Sequence, residues 1–563
     1  MNLSPNWLAV PIVLPLLLAA IGIGTSRWGF RRAVRFQRWI AVVAVSVNLA
    51  VAILLLIHTL QGNRLVLQMG GWPAPFGISV VADGLTAILL TLTAILAAAI
   101  VPYAIGTLDQ RARMNFYPLL LFLLMGVNGA YLAGDLFNLY VFFEVLLMAS
   151  FVLLTLGGQP GQINGGIRYV LLNLLASILF LAAAGIAYGT LGTLNFAQLA
   201  QRMDSVPTSI QALLAGLLLV AYSSKAGLFP LFFWLPSSYH TPHPAVTAFF
   251  GGLLTKVGIY TLFRIFPLLF PAYLVEWQSL ILTIAGFTML TGVFGAMAVT
   301  TVRRVLSFHV ISQVGYMVMG LGLAASADPV FAGAGMAAGI LYLVHHMIVK
   351  TALLMAGGAA EMEIGSGSLI KRALSGLVGR RPLLAVIFFG AAFSLAGIPP
   401  SSGFISKLSL LQLALEGKLW VIATVSLIVS AFTLMSMARL WQKAFWGTVN
   451  APIYPTAPLT LVRGRWLTLG PIAALVLLSL AIGIFSGPVF RWSEQAAQQV
   501  LDRDGYIAAV APSEEILDLG HDYASGDHAS DEGHASDEDR ENQVEENSSD
   551  ATSTDETTTG EGE

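Results

Sequence analysis

KAGLFPLFFWLP, residues 225–236, sets a lysine, a glycine and two prolines inside an apolar run that would otherwise read as one membrane-crossing helix. Proline removes a backbone donor and breaks a helix, and non-helical backbone at membrane depth survives only inside protein or along a wet cavity. The same device recurs in LAGIPPSSGFISK, residues 395–407, where Gly397, Pro399, Pro400 and Gly403 precede Lys407. The two breaks fall five predicted spans apart. That spacing suggests two five-helix repeats, and an odd number of helices inverts the second repeat relative to the first, as in many ion-coupled transporters. Lys225 precedes its break and Lys407 follows its own, so the expectation is similar depth without strict equivalence.

Around these segments the chain is 56% hydrophobic and 11% charged with a mean hydropathy of +0.76, against about 25% charged in a soluble domain. Apolar runs long enough for a hydrocarbon core of about 30 Å recur almost throughout. The predicted class is an all-α membrane protein with fourteen spans, centred near residues 16, 48, 94, 123, 147, 179, 222, 254, 288, 316, 345, 398, 430 and 476. Spans 4–8 and 9–13 form the repeats and spans 7 and 12 are the broken ones. The predicted organisation is residues 1–110 (three spans and an outer hairpin within residues 63–83), 111–270 and 271–445 (the repeats), 446–493 (a loop and span 14), and 494–563 (an acidic, disordered tail).

Charge supports that arrangement. The first apolar segment, Leu8–Ile23, is followed rather than preceded by its arginines, the reverse of a signal peptide, and reads as a retained helix with its N-terminus outside. The loops this makes cytoplasmic hold 18 Lys+Arg and the opposite side, Arg264 included, holds 7, as the positive-inside rule requires. A cell inner membrane of a bacterium or archaeon, with both termini extracytoplasmic, is the expected location. Four basic residues remain within spans: Lys225, Lys256, Lys350 and Lys407. Arginine stays charged, whereas a desolvated lysine can give up its proton near neutrality, as a relay requires. The tail is strongly acidic, repeats HASDE at 528–532 and 534–538, and lacks the apolar surface to fold alone.

The chain has no cysteine, which removes disulfides, thiolate metal sites and cysteine-ligated clusters from consideration. It has no phosphate-binding lysine loop, dinucleotide fingerprint or hydrolytic signature in context. No cofactor and no nucleic acid is expected. His240 and His243, in SSYHTPHPAV, have a spacing that suggests metal, but no third or fourth ligand is identifiable, and a turn or proton-entry role fits better.

The chemistry lies in the spans. Glu144 falls about 12 Å into the fifth span and is the only carboxylate that reads as deep; such a group needs a partner. If it approaches Lys225, the pair holds the lysine charged, and separation releases the proton. Lys256 reads as mid-span in the eighth helix. In LYLVHHMIVK, His346 and Lys350 stand four residues apart on one face with His345 about 100° away, and histidine is the natural relay group between lysines. His309, in RRVLSFHVISQVGY, lies nearer a basic span end. Asp83 and Asp135 lie at span ends, where water is close.

With these residues in view, the chain resembles the antiporter-like subunits shared by respiratory complex I and the multisubunit Mrp-type sodium/proton antiporters. The resemblance spans about residues 80–445 and rests on Glu144, KAGLFPLFFWLPSSYHTPHPAVTAFF, Lys256, RRVLSFHVISQVGY, HHMIVK and LAGIPPSSGFISK. GDLFNLYVFFEVLLMASFVLL is most like the D-type subunits of the Mrp branch. The resemblance implies Glu144–Lys225 as a gating pair, Lys256 and His346 as carriers on a central axis, and Lys407 at the exit of the second half-channel. His345 and Lys350 join them as candidate relay residues. It also implies a proton-motive-force-driven transporter, moving protons and sodium ions in a lipid bilayer, assembled with other hydrophobic subunits and not itself an enzyme. The alternatives are a proton-pumping arm of complex I or of a membrane-bound hydrogenase, and a degenerate scaffold.

Overall fold

With no water in the bilayer core, backbone groups must pair within each segment, so apolar sequence of this length folds as helix. The computed structural model describes residues 3–108, 114–364, 367–369, 376–447 and 465–510. Arg111, Arg113, Lys371, Arg372 and Arg463 of the predicted basic loops, and the tail beyond 510, lie outside the described residues.

In chain order the principal helices are α1 (Val10–Gly24), α2 (Phe30–Thr59), α3 (Gly84–Thr107), α4 (Phe116–Leu132), α5 (Leu136–Thr155), α6 (Pro160–Leu191), α7 (Thr208–Ala226) and α8 (Trp234–Ser238). There follow α9 (Pro244–Leu269), α10 (Gln278–Ala298), α11 (Val302–Ala324), α12 (Pro329–Ile364), α13 (Pro382–Ala396), α14 (Ser402–Glu416), α15 (Trp420–Ala444), α16 (Arg465–Ile484), α17 (Ser486–Leu501) and α18 (Arg503–Val510). Among the described residues, twelve helices are long and apolar enough to cross a membrane, and α4 and α13 are shorter apolar helices. Between α2 and α3, β1 (Leu65–Gln68) and β2 (Ser79–Ala82) pair antiparallel with Leu65 opposite Ala82.

Both Gly/Pro segments are breaks of the same design. α7 ends at Gly227 (φ 76°), whose N–H bonds the carbonyls of Ser223 and Ser224. α13 ends at Gly397 (φ 86°), whose N–H bonds those of Phe393 and Ser394. A left-handed C-cap is glycine's place, because a Cβ there is strained. After the first break only the five-residue α8 forms, whereas after the second α14 runs for 15 residues.

The α4–α5 and α10–α11 hairpins also match. A methyl on Gly129 would lie 2.2 Å from the Phe142 ring and one on Gly126 2.9 Å from Leu146. On α10, Gly295 meets the Phe308 ring at 2.3 Å and Gly292 the Ser312 backbone nitrogen at 2.3 Å. Small residues let membrane helices approach closely, and here the same sequence spacing does so twice. α12, wholly buried through its apolar window, is the hub: α3, α9, α11, α13, α14, α16 and α17 all pack on it.

Two expectations are corrected. The tail does not begin at 494: α17 buries Ala496, Ala497 and Val500, and α18 buries Tyr506 and Val510. These helices are short, amphipathic and charged, so hydropathy passes over them, yet their apolar residues have partners to pack on, α3 and α12 for α17 and the helix Phe196–Arg202 for α18. Arg264, assigned to an outer loop, lies instead within α9, 4% exposed, with Nη1 2.6 Å from Oδ2 of the fully buried Asp83. Its Nη2 approaches Thr86 Oγ1 at 3.4 Å, and its guanidinium packs beside the rings of Tyr260 and Tyr506. A buried arginine is therefore held by a carboxylate, and Asp83 also caps α3, accepting from the Thr86 N–H. Glu144 is accordingly not the only enclosed carboxylate.

Candidate functional site

Three helices converge on Lys225. Placed in the last turn of α7 by the break that follows, it directs Nζ to Ser177 Oγ of α6 at 2.7 Å and lies 3.9 Å from Glu144 Oε1 of α5. Ser177 in turn donates to Glu144 Oε1. The serine thus stands between acid and base, in hydrogen-bond contact with both. The Lys225 side chain is 5% exposed and that of Glu144 26%, so the acid is the member of the pair that reaches the surface. The Phe143 ring lies 5.4 Å from Nζ.

α9 crosses α7 immediately beside this cluster, with Gly258 against the Ala226 nitrogen and the Lys225 carbonyl carbon. Half a turn earlier is Lys256, fully buried, whose Nζ donates to Gly251 O at 2.6 Å and Thr255 Oγ1 at 3.1 Å. Gly251 lies in a π-helical turn, Phe250–Leu254. Such a turn frees a carbonyl from the ordinary ladder and often marks a functional site. Here that carbonyl solvates an ammonium.

From Lys256 a line of titratable groups runs along α12 into the second half. His346 stands in the electrostatic field of Lys256, Lys350, His345 and His309, and His309 in that of Lys350 and Lys407. His346, Lys350 and His309 are buried. Both ring nitrogens of His346, and Lys350 Nζ, have no protein hydrogen-bond partner. Buried polar groups without protein partners are the usual hosts of ordered water. His309 Nε2 contacts Ser436 Oγ at 2.8 Å. His345 turns aside: its Nδ1 lies 2.7 Å from Ser402 Oγ, which meets Ser479 Oγ at 2.8 Å, itself 2.7 Å from Ser394 Oγ. Lys407 reaches back across the second break, donating to the carbonyls of Leu395 and Ala396 at 3.2 and 3.1 Å, with the Tyr316 ring 5.3 Å away. In the second break freed carbonyls solvate the lysine, whereas in the first the partner is a hydroxyl.

The seven candidate residues thus fall into the Glu144–Lys225 pair bridged by Ser177 and a series of enclosed groups, Lys256, His345, His346, Lys350 and Lys407, around α9, α12 and the second break. Sequence reasoning left out Ser177, Ser402, Ser479 and the Gly251 carbonyl, and set His309 apart. His243 serves as a helix cap, its Nδ1 accepting from the Ala245 N–H at 3.2 Å. Asp135 likewise caps α5 through the Asn138 N–H. Among the described residues, no group of three or more His, Cys, Asp or Glu gathers as a metal site.

A helical membrane protein with two broken helices and a buried lysine path is of the antiporter-like class. Residues 133–433 match the family described as NADH:quinone oxidoreductase/Mrp antiporter, TM, and the chain belongs to it. Within that family it is 42% identical over 501 residues to the D-type subunit of the Na(+)/H(+) antiporter of Alkalihalophilus pseudofirmus, covering 89% of this chain and 99% of the other. It is 35% identical over 507 residues to the D-type subunit of the Na(+)/H(+) antiporter of Bacillus subtilis, covering 90% and 99%. Among solved structures, a chain of the Mrp complex from Dietzia sp. DQ12-45-1b superposes with a TM-score of 0.81 at 33% identity, covering 91% of this chain and 100% of that one.

Proposed function

We propose that this chain is the proton-translocating subunit of a multisubunit Na+/H+ antiporter of the Mrp type, driven by the proton-motive force in the cell membrane. The observation that carries the reading is the Glu144–Ser177–Lys225 cluster at α7, which α9 crosses, with the buried Lys256, His346, Lys350 and His309 and the half-buried Lys407 beyond it. Isolated cations at such depth are costly and are retained for function.

The cluster works as a two-position switch. With the Glu144 carboxylate near, Lys225 holds its proton; when the contact through Ser177 opens, the ammonium loses its counter-charge and passes the proton toward Lys256. The π-turn carbonyl and the carbonyls at the second break receive the ammonium form of Lys256 and Lys407. The histidines carry the proton between them. The paired glycine caps and matched hairpins support two inverted repeats within a fourteen-span chain, α4 and the α13–α14 pair counted as spans, and the loop charges support both termini outside. Sodium exchange is assigned to the assembly with its other hydrophobic subunits, and this chain is its proton-handling part. The identity to D-type antiporter subunits favours this reading over a redox-driven arm.

The test is sodium-dependent pH change in inverted vesicles carrying the whole complex. Glu144→Ala should abolish it, and retained exchange would contradict the assigned gate. Co-purification of quinone-reductase subunits in place of small hydrophobic partners would move the chain to the redox branch.

A further inference from the structure

At the end of α6 distant from the gate lies a cavity of about 280 Å³ formed by three elements. α6 contributes Asn164 and Arg168, α11 contributes Arg304, and the segment just after α8 contributes His240 and Thr241. Three of the lining groups are basic and none is acidic. Among the described residues neither Arg168 nor Arg304 forms an ion pair, although Arg303, the neighbour of Arg304, binds Glu361 at 2.5 Å. His240 Nδ1 is buried without a hydrogen-bond partner. Burial, followed by the Arg304 and Arg303 guanidiniums, pushes the His240 pKa down to about 4, so at neutral pH the arginines carry the charge of the site. Gly161 and Gly165 of α6 complete the walls, and nothing lies within 4 Å of where a Cβ on Gly161 would stand.

Below the cavity, toward the middle of the same helix, runs an unbroken aliphatic strip. Leu171, Leu172, Leu175 and Ile178 are 41–62% exposed and follow the cavity-lining Arg168 at three- and four-residue intervals, on the same side of the helix. Two unpaired arginines over a polar cavity, continuous with an exposed aliphatic stripe, match a molecule with an anionic head and apolar chains. Basic pockets at the membrane border are a recognised way of holding anionic headgroups, and the guanidinium fork suits phosphate oxygens.

We propose that this cavity is a binding site for an anionic phospholipid, with its phosphate between Arg168 and Arg304 and its acyl chains along the exposed face of α6. The site is distinct from the proton path, but α6 also carries Ser177. The lipid would therefore brace the helix that positions the bridge between Glu144 and Lys225.

The assembled complex, stripped of lipid in detergent, is titrated with phosphatidylglycerol or with phosphatidylcholine of the same chains, and bound lipid is read by native mass spectrometry. Phosphatidylglycerol should be retained in preference to phosphatidylcholine. The Arg168→Ala/Arg304→Ala pair should weaken its retention roughly thirtyfold, from about fivefold per basic side chain at an anionic surface. Because both arginines lie at the surface, the charge-keeping Arg168→Lys/Arg304→Lys pair controls for folding and should keep most of the retention. Three results would overturn the proposal: no loss in the alanine pair, equal retention of the two lipids, or displacement of phosphatidylglycerol by inorganic phosphate alone, which would make it a free-anion site.

Discussion

Ser177 is the residue on which the proposed gate turns. It accepts from Lys225 and donates to Glu144, whereas the direct acid–base separation is 3.9 Å, long for a hydrogen bond. Hydrogen bonds to charged groups contribute about 1.5–3 kcal/mol, so Ser177→Ala should loosen the pair and slow exchange at least tenfold. Ser177→Thr, which keeps the hydroxyl, should retain most of it. Initial rates of sodium-dependent pH change distinguish the two. The charged members of this cluster were legible in the sequence because a lysine or glutamate in an apolar run is conspicuous and costly. Ser177 was not, since serine is a common small residue of membrane helices and only the fold brings it between groups 33 and 48 positions away. Arg264 was misplaced for a related reason: near a helix end an arginine usually snorkels to water, and its partner Asp83 belongs to another helix.

Helices and their packing carry the second set of expectations. A Cβ added at Gly292 would lie 2.3 Å from the Ser312 backbone nitrogen, and backbone cannot turn aside as a side chain can. Gly292→Ala should therefore cost about 1–3 kcal/mol, seen as a lower thermal midpoint of the purified complex, with exposed Gly185 as the tolerant control. For the Asp83–Arg264 pair, Arg264→Leu leaves a carboxylate buried alone and should destabilise by about 3–5 kcal/mol, whereas Asp83→Leu with Arg264→Leu should recover much of the loss. A double-mutant cycle in thermal stability measures the difference. The broken helices were readable from glycine and proline because those residues act through their own backbone. The π-turn of α9 has no such signature: its Gly251–Gly252 step looks like ordinary close packing, and it is recognised only by the carbonyl it turns toward Lys256.

The described part of the molecule is tied at one end by α17 and α18. Gln499 of α17 accepts from the Gly84 N–H and donates to Thr59 O, and Arg64 pairs with Asp502 at 2.8 Å. Partial burial would raise the Asp502 pKa, but the Arg64 guanidinium and the Gly505 N–H hold it below the ordinary carboxylate value. A lowered carboxylate stabilises above its unfolded pKa of about 3.9 and loses that contribution as pH falls through the folded value. Acidification below about pH 4 should loosen α18 to about the extent that Asp502→Asn does at neutral pH, read as protease cleavage near residue 503; because Asp502 is half exposed, the effect is small. Removal of residues 511–563 should leave exchange unchanged, given their acidic, core-poor composition. Removal from residue 486 should not, because it uncovers the apolar surface that α17 buries. The most direct measurement replaces Lys225 by arginine in the assembled complex and follows sodium-dependent pH change in inverted vesicles. Arginine keeps the positive charge beside Glu144 but does not release its proton. Loss of exchange in both Lys225→Arg and Lys225→Ala is the expected result, and exchange retained in Lys225→Arg would contradict proton transfer through residue 225.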